Sequence, residues 1–302
     1  MISMIKADNL TKDYGENRGI FDLSFETVKG EVYGFLGPNG AGKTTTIRHL
    51  LGFSRPQDGR CSVLGFDCWT QAKEIQRHIG YVPGEIAFPE HLTGYEFLEQ
   101  ISELRHMPSL DKARELINLF DLDPRGKLKQ MSKGMKQKTA LVTAFMHDPE
   151  LIILDEPTSG LDPLMQSRFV DLVKRERARG KTIFMSSHMF EEVEKTCDRV
   201  AIIRQGRILV EVLMKDIEHT KKKTFEIKLA TADEMTKLAG QGFQFDEINP
   251  QKARVKVTLY DDQCNDLLHA LAALNVVYIS EIKYGLEQYF MHYYQREDSF
   301  HA

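Results

Sequence analysis

The stretch of this sequence best suited to chemistry runs from Gly37 to Thr44 (GPNGAGKT) and fits the pattern G-x-x-x-x-G-K-T. Glycines at this spacing let backbone N–H groups converge on phosphate oxygens, and a helix that begins near Lys43 points its positive dipole end at the same anion. In such a loop the lysine reaches the β and γ phosphates, and the threonine hydroxyl holds Mg²⁺. The predicted nucleotide-binding residues of the loop are Gly37, Asn39, Gly40, Gly42, Lys43, Thr44 and Thr45.

A pair of carboxylates follows a second apolar run, LIILDEP, later in the chain. Asp155 and Glu156 come directly after this run, at the carboxyl end of a predicted buried strand. In α/β sheets that end of a strand faces the ligand crevice. We expect Asp155 to hold Mg²⁺ and Glu156 to polarise the attacking water. Taken alone, the pattern also fits a solvated strand end, and its place after the phosphate loop favours the catalytic interpretation.

Strand-like and helix-like patterns alternate through the first two-thirds of the chain, which predicts an α/β layered fold. The apolar run 31–36 leads into the phosphate loop, and residues 44–51 have the pattern of the helix after it. The segment from about 85 to 145 is largely helical in pattern, as an insertion in a sheet domain would be. Further strands are predicted at 79–82, 151–154, 182–185 and 200–203, and helices at 94–106, 111–122, 164–179 and 190–197.

Composition limits the classes of protein that this chain can represent. Its 302 residues, 42% of them hydrophobic, suffice for one large domain and a small one. A net charge of −4 gives no overall attraction to nucleic acid, so no nucleic-acid partner is expected. No window approaches the ~18 apolar residues of a membrane span, and we expect that the chain does not cross a membrane by itself. Four scattered cysteines indicate a reducing compartment: Cys61, Cys68, Cys197 and Cys264.

The last third of the chain differs in pattern from the rest. Residues 215–223 are polar and lysine-rich, which predicts a linker between a first domain (1–214) and a small second one (224–302). Within the second domain the patterns follow the order β-α-β-β-α-β and then a helix at 285–295. That order predicts a small α+β, ferredoxin-like module. A dimerisation or regulatory role is the hypothesis for it.

Together, these motifs closely resemble those of the ATP-binding cassette (ABC) ATPases, from about residue 3 to about residue 212. Tyr14, in the segment TKDYG, matches the aromatic residue on which that family stacks adenine. Asp162, in SGLD, matches the position that contacts the other protomer, and His188, in MSSHMFEEVE, matches the switch histidine that senses the γ phosphate. The resemblance implies a P-loop NTPase fold with a helical subdomain, in which Glu156, His188 and Lys43 are catalytic.

Two motifs depart from the usual form of this family. The segment MSKGMKQ stands where the family has Leu-Ser-Gly-Gly-Gln; it keeps Ser132 and Gly134 and introduces Lys133 and Met135. Ser132 is still expected to hydrogen-bond a γ phosphate, and Gly134 to allow close backbone approach. In YVPGE, Gly84 takes the place of a glutamine that contacts Mg²⁺ and water, and either the neighbouring glutamate or a water molecule would fill the gap. Both variants are similar to those of bacterial exporters and of antibiotic-resistance or lantibiotic-immunity transporters.

The resemblance also implies partners. Members of the family bind ATP between two head-to-tail nucleotide domains, which implies a homodimer or a pair with a close paralogue. The expected function is the ATP-hydrolysing motor of a transporter, favouring export, at the cytoplasmic face of the membrane beside separate transmembrane permease subunits. These would dock near residues 85–106. The alternative is a soluble ABC ATPase that acts on ribosomes or nucleic acid. A P-loop kinase or GTPase does not explain Ser132, Asp162 and His188 in this order.

Overall fold

Two units make up the computed structural model, which describes residues 2–218, 222–282 and 285–291: Met1–Met214 and Lys215–Ala302. The strands of the first unit are β1 (Ser3–Asp13), β2 (Gly19–Val28), β3 (Val32–Leu36), β4 (Asp58–Val63), β5 (Phe66–Asp67), β6 (Ile79–Val82), β7 (Leu151–Asp155), β8 (Thr182–Ser187), β9 (Arg199–Arg204) and β10 (Arg207–Leu213). Its helices are α1 (Lys43–Leu50), α2 (Ala72–His78), α3 (Gly94–Leu104), α4 (Asp111–Leu119), α5 (Lys133–Phe145), α6 (Pro163–Ala178) and α7 (Phe190–Thr196).

The main sheet of the first unit has the order β10-β9-β3-β8-β7-β6. All of its neighbouring pairs are parallel except β10 with β9. Strands β3 and β7 are buried along their whole length, as apolar runs covered on both faces must be. In the register of the sheet, Leu36 pairs with Ser187 and Asp155 with Ser186. The loops after β3, β7 and β8 therefore leave the sheet at the same edge.

A second sheet of the first unit, β2-β1-β4-β5, is antiparallel and was not predicted. It meets the main sheet where Phe25 of β2 packs on Tyr33, Phe35 and Phe184. Ring centroids lie 5.6–5.8 Å apart from Phe25 to each of the three and from Phe184 to Tyr33 and Phe35. All four are buried, and each large side chain contributes about 1.5–3 kcal/mol by leaving water. This contact fixes β3, a strand of the main sheet, against the second sheet. The phosphate loop that follows β3 is held in place with it.

Helices α3, α4 and α5 occupy the segment from 85 to 145, which was predicted to be helical. Thr93 caps α3: its hydroxyl accepts a hydrogen bond from the Glu96 N–H, and the Glu96 carboxylate accepts one from the Thr93 N–H. This reciprocal pair satisfies donors that a helix otherwise leaves free at its first turn. Arg168 of α6 donates to the Leu119 carbonyl at the end of α4, which ties the helical segment to the rest of the unit.

The second unit contains β11 (Lys222–Leu229), α9 (Ala232–Ala239), β12 (Phe245–Asn249), β13 (Arg254–Tyr260), α10 (Cys264–Ala272) and β14 (Val276–Ile282), after a short helix α8 (Met214–Glu218) at the boundary. Its sheet is antiparallel throughout, in the order β12-β13-β11-β14. The succession β-α-β-β-α-β with this sheet order is that of a ferredoxin-like module. Residues 286–291 are helical, while 292–295 of the helix predicted at 285–295 lie outside the described residues.

The segment predicted as a linker, 215–223, contains regular structure. Residues 214–218 form α8 and β11 begins at Lys222, so regular structure occupies most of the predicted linker; residues 219–221 lie outside the described part. The polar composition hid the short helix because only Met214 and Ile217 of it are buried apolar side chains. Too few apolar positions remain to give a helical period.

The cysteines are free thiols: Cys61, Cys68 and Cys197 are buried, and Cys264 is half-buried. Across the described residues, no helix has both the length and the apolar character that a membrane crossing requires.

Candidate nucleotide site

The predicted phosphate loop connects the end of β3 to the start of α1. Gly42 caps α1 with a φ of +109°, in the region where side chains are strongly disfavoured. A Cβ atom at that position would also lie 2.9 Å from Cγ2 of Ile20. At the other end of the loop, the N–H of Gly37 donates to the Ser187 carbonyl at 3.2 Å. The loop thus runs close to β2 at one end. At its other end it is hydrogen-bonded to the last residue of β8.

Lys43 lies under this loop and makes three contacts with oxygen atoms. Its ammonium donates to the carbonyls of Gly37 at 2.7 Å and Pro38 at 3.2 Å, and forms an ion pair with Glu156 Oε1 at 3.1 Å. The lysine side chain is only 6% exposed. A polyphosphate that reached the loop would therefore compete with Glu156 for a positive charge that is already in position.

Asp155 ends β7 and is fully buried. Its Oδ1 accepts a hydrogen bond from Ser186 Oγ at 2.5 Å, while Oδ2 has no hydrogen-bond partner within the described ranges. A buried acceptor without a donor is costly, and a divalent cation would satisfy it. Of the residues that the structure describes, no three His, Cys, Asp or Glu side chains form a metal cage. A single carboxylate fits Mg²⁺, which keeps most of its waters and binds substrate phosphates.

Gly84 lies directly against this carboxylate. A Cβ atom at position 84 would be 3.0 Å from Asp155 Oδ2 and 3.2 Å from its Cγ, closer than side chains normally approach. From the sequence, Gly84 takes the place of an expected glutamine. The structure adds that any side chain here would press on the oxygen that is available to a cation. The neighbouring Glu85 is exposed.

Glu156 has an unusual backbone conformation, with a φ of +50°. A non-glycine residue in this region costs about 1–3 kcal/mol, which makes it a sign of functional constraint. The Glu156 N–H donates to the Ser186 carbonyl at 3.2 Å, and this bend turns the side chain toward the loops. There Glu156 Oε2 lies 2.6 Å from Nδ1 of His188, which is half exposed. Two of the predicted catalytic residues, Lys43 and His188, therefore each contact the third, Glu156.

A second group of predicted residues lies at the start of α5. Ser132 caps that helix by accepting a hydrogen bond from the Met135 N–H at 3.2 Å. Gly134 is required for a reason within the chain: a Cβ there would lie 2.8 Å from the Gly160 carbonyl. The Lys133 side chain also lies over Gly160, with Cγ 3.0 Å from the Cβ position of that glycine. The Ser132 loop and the Gly160 loop therefore form one packed surface.

The remaining predicted residues are placed as follows. Asp162 caps α6 by accepting a hydrogen bond from the Met165 N–H at 3.0 Å. Tyr14 is 52% exposed in the turn between β1 and β2, and the Lys12 ammonium lies 5.7 Å from the centre of its ring. Asn39, Gly40 and Thr44 are exposed and Thr45 is half-buried. An exposed tyrosine ring and an exposed threonine hydroxyl remain accessible to a ligand.

Sequence reasoning missed the side chains that support the site from behind. Ser186 holds Asp155, and Ser187 Oγ donates to Oε2 of the buried Glu192 at 2.5 Å. Burial raises the pKa of Glu192 to about 7, and the nearby negative charge of Glu156 acts in the same direction. The available signal was a pair of hydroxyl residues at the end of an apolar strand, followed by a carboxylate four positions beyond His188.

Comparison with known proteins identifies relatives of this chain. A family profile described as ABC transporter matches residues 20–159. The bacitracin transport ATP-binding protein of Bacillus licheniformis is 34% identical over 300 residues, which are 96% of this chain and 97% of that protein. The linearmycin resistance ATP-binding protein of Bacillus subtilis is 38% identical over 211 residues, or 68% of each chain.

Among solved structures, a dimeric ATP-binding cassette in a post-hydrolysis state, bound to ADP and Pi, has a similar fold. The TM-score is 0.63 at 22% sequence identity, and the match covers 70% of this chain and 99% of the other. The likeness shows that the P-loop cassette fold extends over most of this chain.

Replacing Lys43 by Ala should weaken ATP binding by about 10- to 100-fold, since a hydrogen bond to a charged group contributes about 1.5–3 kcal/mol. Equilibrium titration with a non-hydrolysable ATP analogue measures this change. Lys29→Ala, which removes an exposed lysine paired with Glu150, is the matched control and should bind like the wild type. An unchanged affinity for Lys43→Ala would contradict the assignment of the phosphate loop.

Replacing Gly84 by Ala should lower ATP turnover by roughly tenfold, since the new Cβ would displace Asp155 by a few tenths of an ångström and a 1 Å misplacement can cost about a hundredfold. The apparent affinity for Mg²⁺ should fall in parallel, measured as steady-state turnover against Mg²⁺ concentration. Gly126→Ala is the control, because no atom lies within 4 Å of its Cβ position. Faster turnover in Gly84→Ala or Gly84→Gln would instead mean that the glycine keeps the protein slow.

Proposed function

This chain belongs to the ABC transporter family and is an ATP-hydrolysing cassette, and from that premise we propose that it is the motor of an exporter whose membrane-spanning subunits are separate chains. The observation that supports its role as a motor is the contact of Lys43, Glu156 and His188 beside the buried Asp155. This arrangement combines a cation for phosphate, a base for water and a carboxylate for a metal at one edge of a sheet.

In the proposed ATP complex, the phosphate loop and Lys43 bind the β and γ phosphates. Asp155 Oδ2 and the Thr44 hydroxyl would hold Mg²⁺, which would neutralise charge on the phosphates. The fit of Asp155 rests on its buried oxygen without a donor. Thr44 is exposed in the first turn of α1, on the helix that follows the loop. Tyr14, exposed in the turn between β1 and β2, stacks on adenine.

Glu156 is the proposed general base. When phosphate takes over the Lys43 ammonium, the Glu156 carboxylate loses its ion pair and gains the capacity to accept a proton from water. His188, hydrogen-bonded to Glu156 Oε2, orients the carboxylate and contacts the γ phosphate. The strained φ of Glu156 supports this role, since it aims the carboxylate at both neighbours.

The proposed working unit is a head-to-tail dimer, either of two copies or with a close paralogue. Ser132 and Gly134, at the positive end of the α5 dipole, would face the phosphates that the partner binds. Asp162 would contact the partner as well. Closure on ATP and opening after hydrolysis then produce the mechanical stroke. The dimeric cassette with the same fold is consistent with this arrangement.

The direction and the partners of transport are proposed from the relatives. One is a bacitracin transport ATP-binding protein and another a linearmycin resistance ATP-binding protein, which favours export of an antibiotic-like compound. Permease subunits would dock on residues 85–106, where Tyr95 and Leu104 are 38% and 74% exposed, and would hold the chain at the cytoplasmic face of the membrane.

The alternative function, a soluble ATPase acting on ribosomes or nucleic acid, is disfavoured by the net charge of −4.

Glu156→Gln should lower turnover by about 10²- to 10⁴-fold, the usual contribution of a general base. Because the substitution also removes the carboxylate that competes for Lys43, ATP should bind more tightly and the dimer should persist on ATP. Steady-state hydrolysis, equilibrium nucleotide binding and sizing in the presence of ATP measure the three effects. Glu191→Gln, an exposed glutamate paired with Lys195, should leave all three unchanged. Turnover near the wild-type level would remove Glu156 as the base.

Affinity capture of the tagged full-length chain from detergent-solubilised membranes tests the transporter role directly. We expect a polytopic membrane protein to be recovered, together with ATP hydrolysis that Glu156→Gln abolishes. Capture should be lost when Leu104 is replaced by Asp and retained when Leu164, 59% exposed on α6, is replaced by Asp. Recovery of ribosomes or nucleic acid in place of a membrane protein would establish the alternative function.

A further inference from the structure

Glu192, on the first turn of α7, is a carboxyl group that the proposed hydrolysis does not use. It is 6% exposed, although glutamate is almost never buried without a partner. It lies beside a cavity of about 390 Å³ between α6 and α7. Its Oε2 accepts a hydrogen bond from the Ser187 hydroxyl at 2.5 Å, and the Thr158 side chain also interacts with the carboxyl group. A group kept in such a place requires an explanation.

Ser187 joins Glu192 to the catalytic loop. While its Oγ donates to Glu192, the same oxygen accepts a hydrogen bond from the Met189 N–H at 3.0 Å. The two bonds clamp the backbone on either side of His188. The Ser187 carbonyl in turn accepts the N–H of Gly37 at the start of the phosphate loop. The orientation of one hydroxyl therefore affects both the histidine and the loop.

We propose that Glu192 is a positioning residue for ATP hydrolysis: through Ser187 it fixes the backbone around His188 and so holds the imidazole against Glu156. Glu192 touches none of the reacting atoms, and its action passes through one serine hydroxyl. The inference rests on the proposed catalytic roles of Glu156 and His188.

The protonation state of Glu192 alters the strength of this clamp. Ionised, the carboxylate is an acceptor only, which commits the Ser187 hydrogen to it and leaves the serine lone pairs for Met189. A hydrogen bond to a charged acceptor is about twice as strong as one to a neutral acceptor. Because burial raises the pKa of Glu192 to about 7, the stronger clamp forms as the pH rises through about 7.

Other charged and titratable groups face this region and must be separated from Glu192 in any pH profile. Those that act on it or line the same cavity are Glu156, His188, Asp171, Lys174, Glu191, Lys195 and the Cys197 thiol. Only Glu192 among them contacts Ser187 Oγ through its side chain. A substitution at Glu192 that keeps the shape and removes the titration isolates its effect.

The test compares Glu192→Gln, Glu192→Ala and the neighbouring control Glu191→Gln in the full-length chain. We expect Glu192→Ala to lower kcat about tenfold while the Kd for ATP changes less than threefold. Glu192→Gln keeps an oxygen acceptor for Ser187 and cannot ionise, so its kcat should be intermediate and should lack the rise through about pH 7 seen in the wild type. Glu191→Gln should keep the wild-type profile.

A double substitution separates positioning from a general loss of structure. If Glu192 acts through Ser187, the Ser187→Ala, Glu192→Ala double variant should lose no more kcat than the worse single variant. Wild-type kcat in Glu192→Ala, an unchanged pH profile in Glu192→Gln or additive losses in the double variant would each overturn the proposal. Since Glu192→Gln retains the shape of glutamate, it serves if Glu192→Ala does not fold. Glu156→Gln in the same assay tests the proposed base separately.

Discussion

The buried ammonium of Lys43 is the charge around which this site is organised. An ammonium removed from water requires compensating oxygen atoms, and removing one partner of a buried ion pair typically costs about 3–5 kcal/mol. Two loop carbonyls and Glu156 provide that compensation. Two of these oxygens belong to the loop after β3 and one to the residue after β7. The need to compensate the Lys43 charge therefore brings together the ends of β3 and β7, which β8 separates in the sheet.

The two acidic side chains of the site, Asp155 and Glu156, are stabilised by different partners. Asp155 and Glu156 are adjacent in sequence, but the left-handed backbone of Glu156 turns their carboxylates to different partners. Asp155 is held by Ser186, and Glu156 by Lys43 and His188. Consecutive carboxylates can therefore differ in role without differing in residue type. Serine hydroxyls, which adapt as donors or acceptors, supply much of this arrangement.

Contiguous patterns in the sequence predicted the parts of the site that lie on continuous segments. The phosphate loop, the strand that ends in Asp155 and the helical segment from 85 to 145 all have local signals, and the ABC family expected from the motifs is confirmed. The antiparallel sheet was missed because β1 is polar in composition and has irregular pairing between Ala7 and Leu10, near Asn9 with its φ of +50°. That irregularity interrupts the alternation by which strands are recognised. Gly84 against Asp155 could not be predicted, since that contact joins distant segments of the chain. Ser187 and Glu192 lie on one short segment, and their local signal was missed.

One hydrogen bond connects α5 to the chain segment that carries Glu156. The buried Gln137 amide donates to the Pro157 carbonyl at 2.7 Å, directly after Glu156. In the proposed dimer, the start of α5 meets the nucleotide of the partner, while Glu156 serves the nucleotide of its own chain. A displacement of α5 would then act on two nucleotides through one hydrogen bond. The binding of ATP at one site would then change the affinity for ATP at the other. By thermodynamic linkage this effect is reciprocal. The two ATP molecules would then not bind independently of each other.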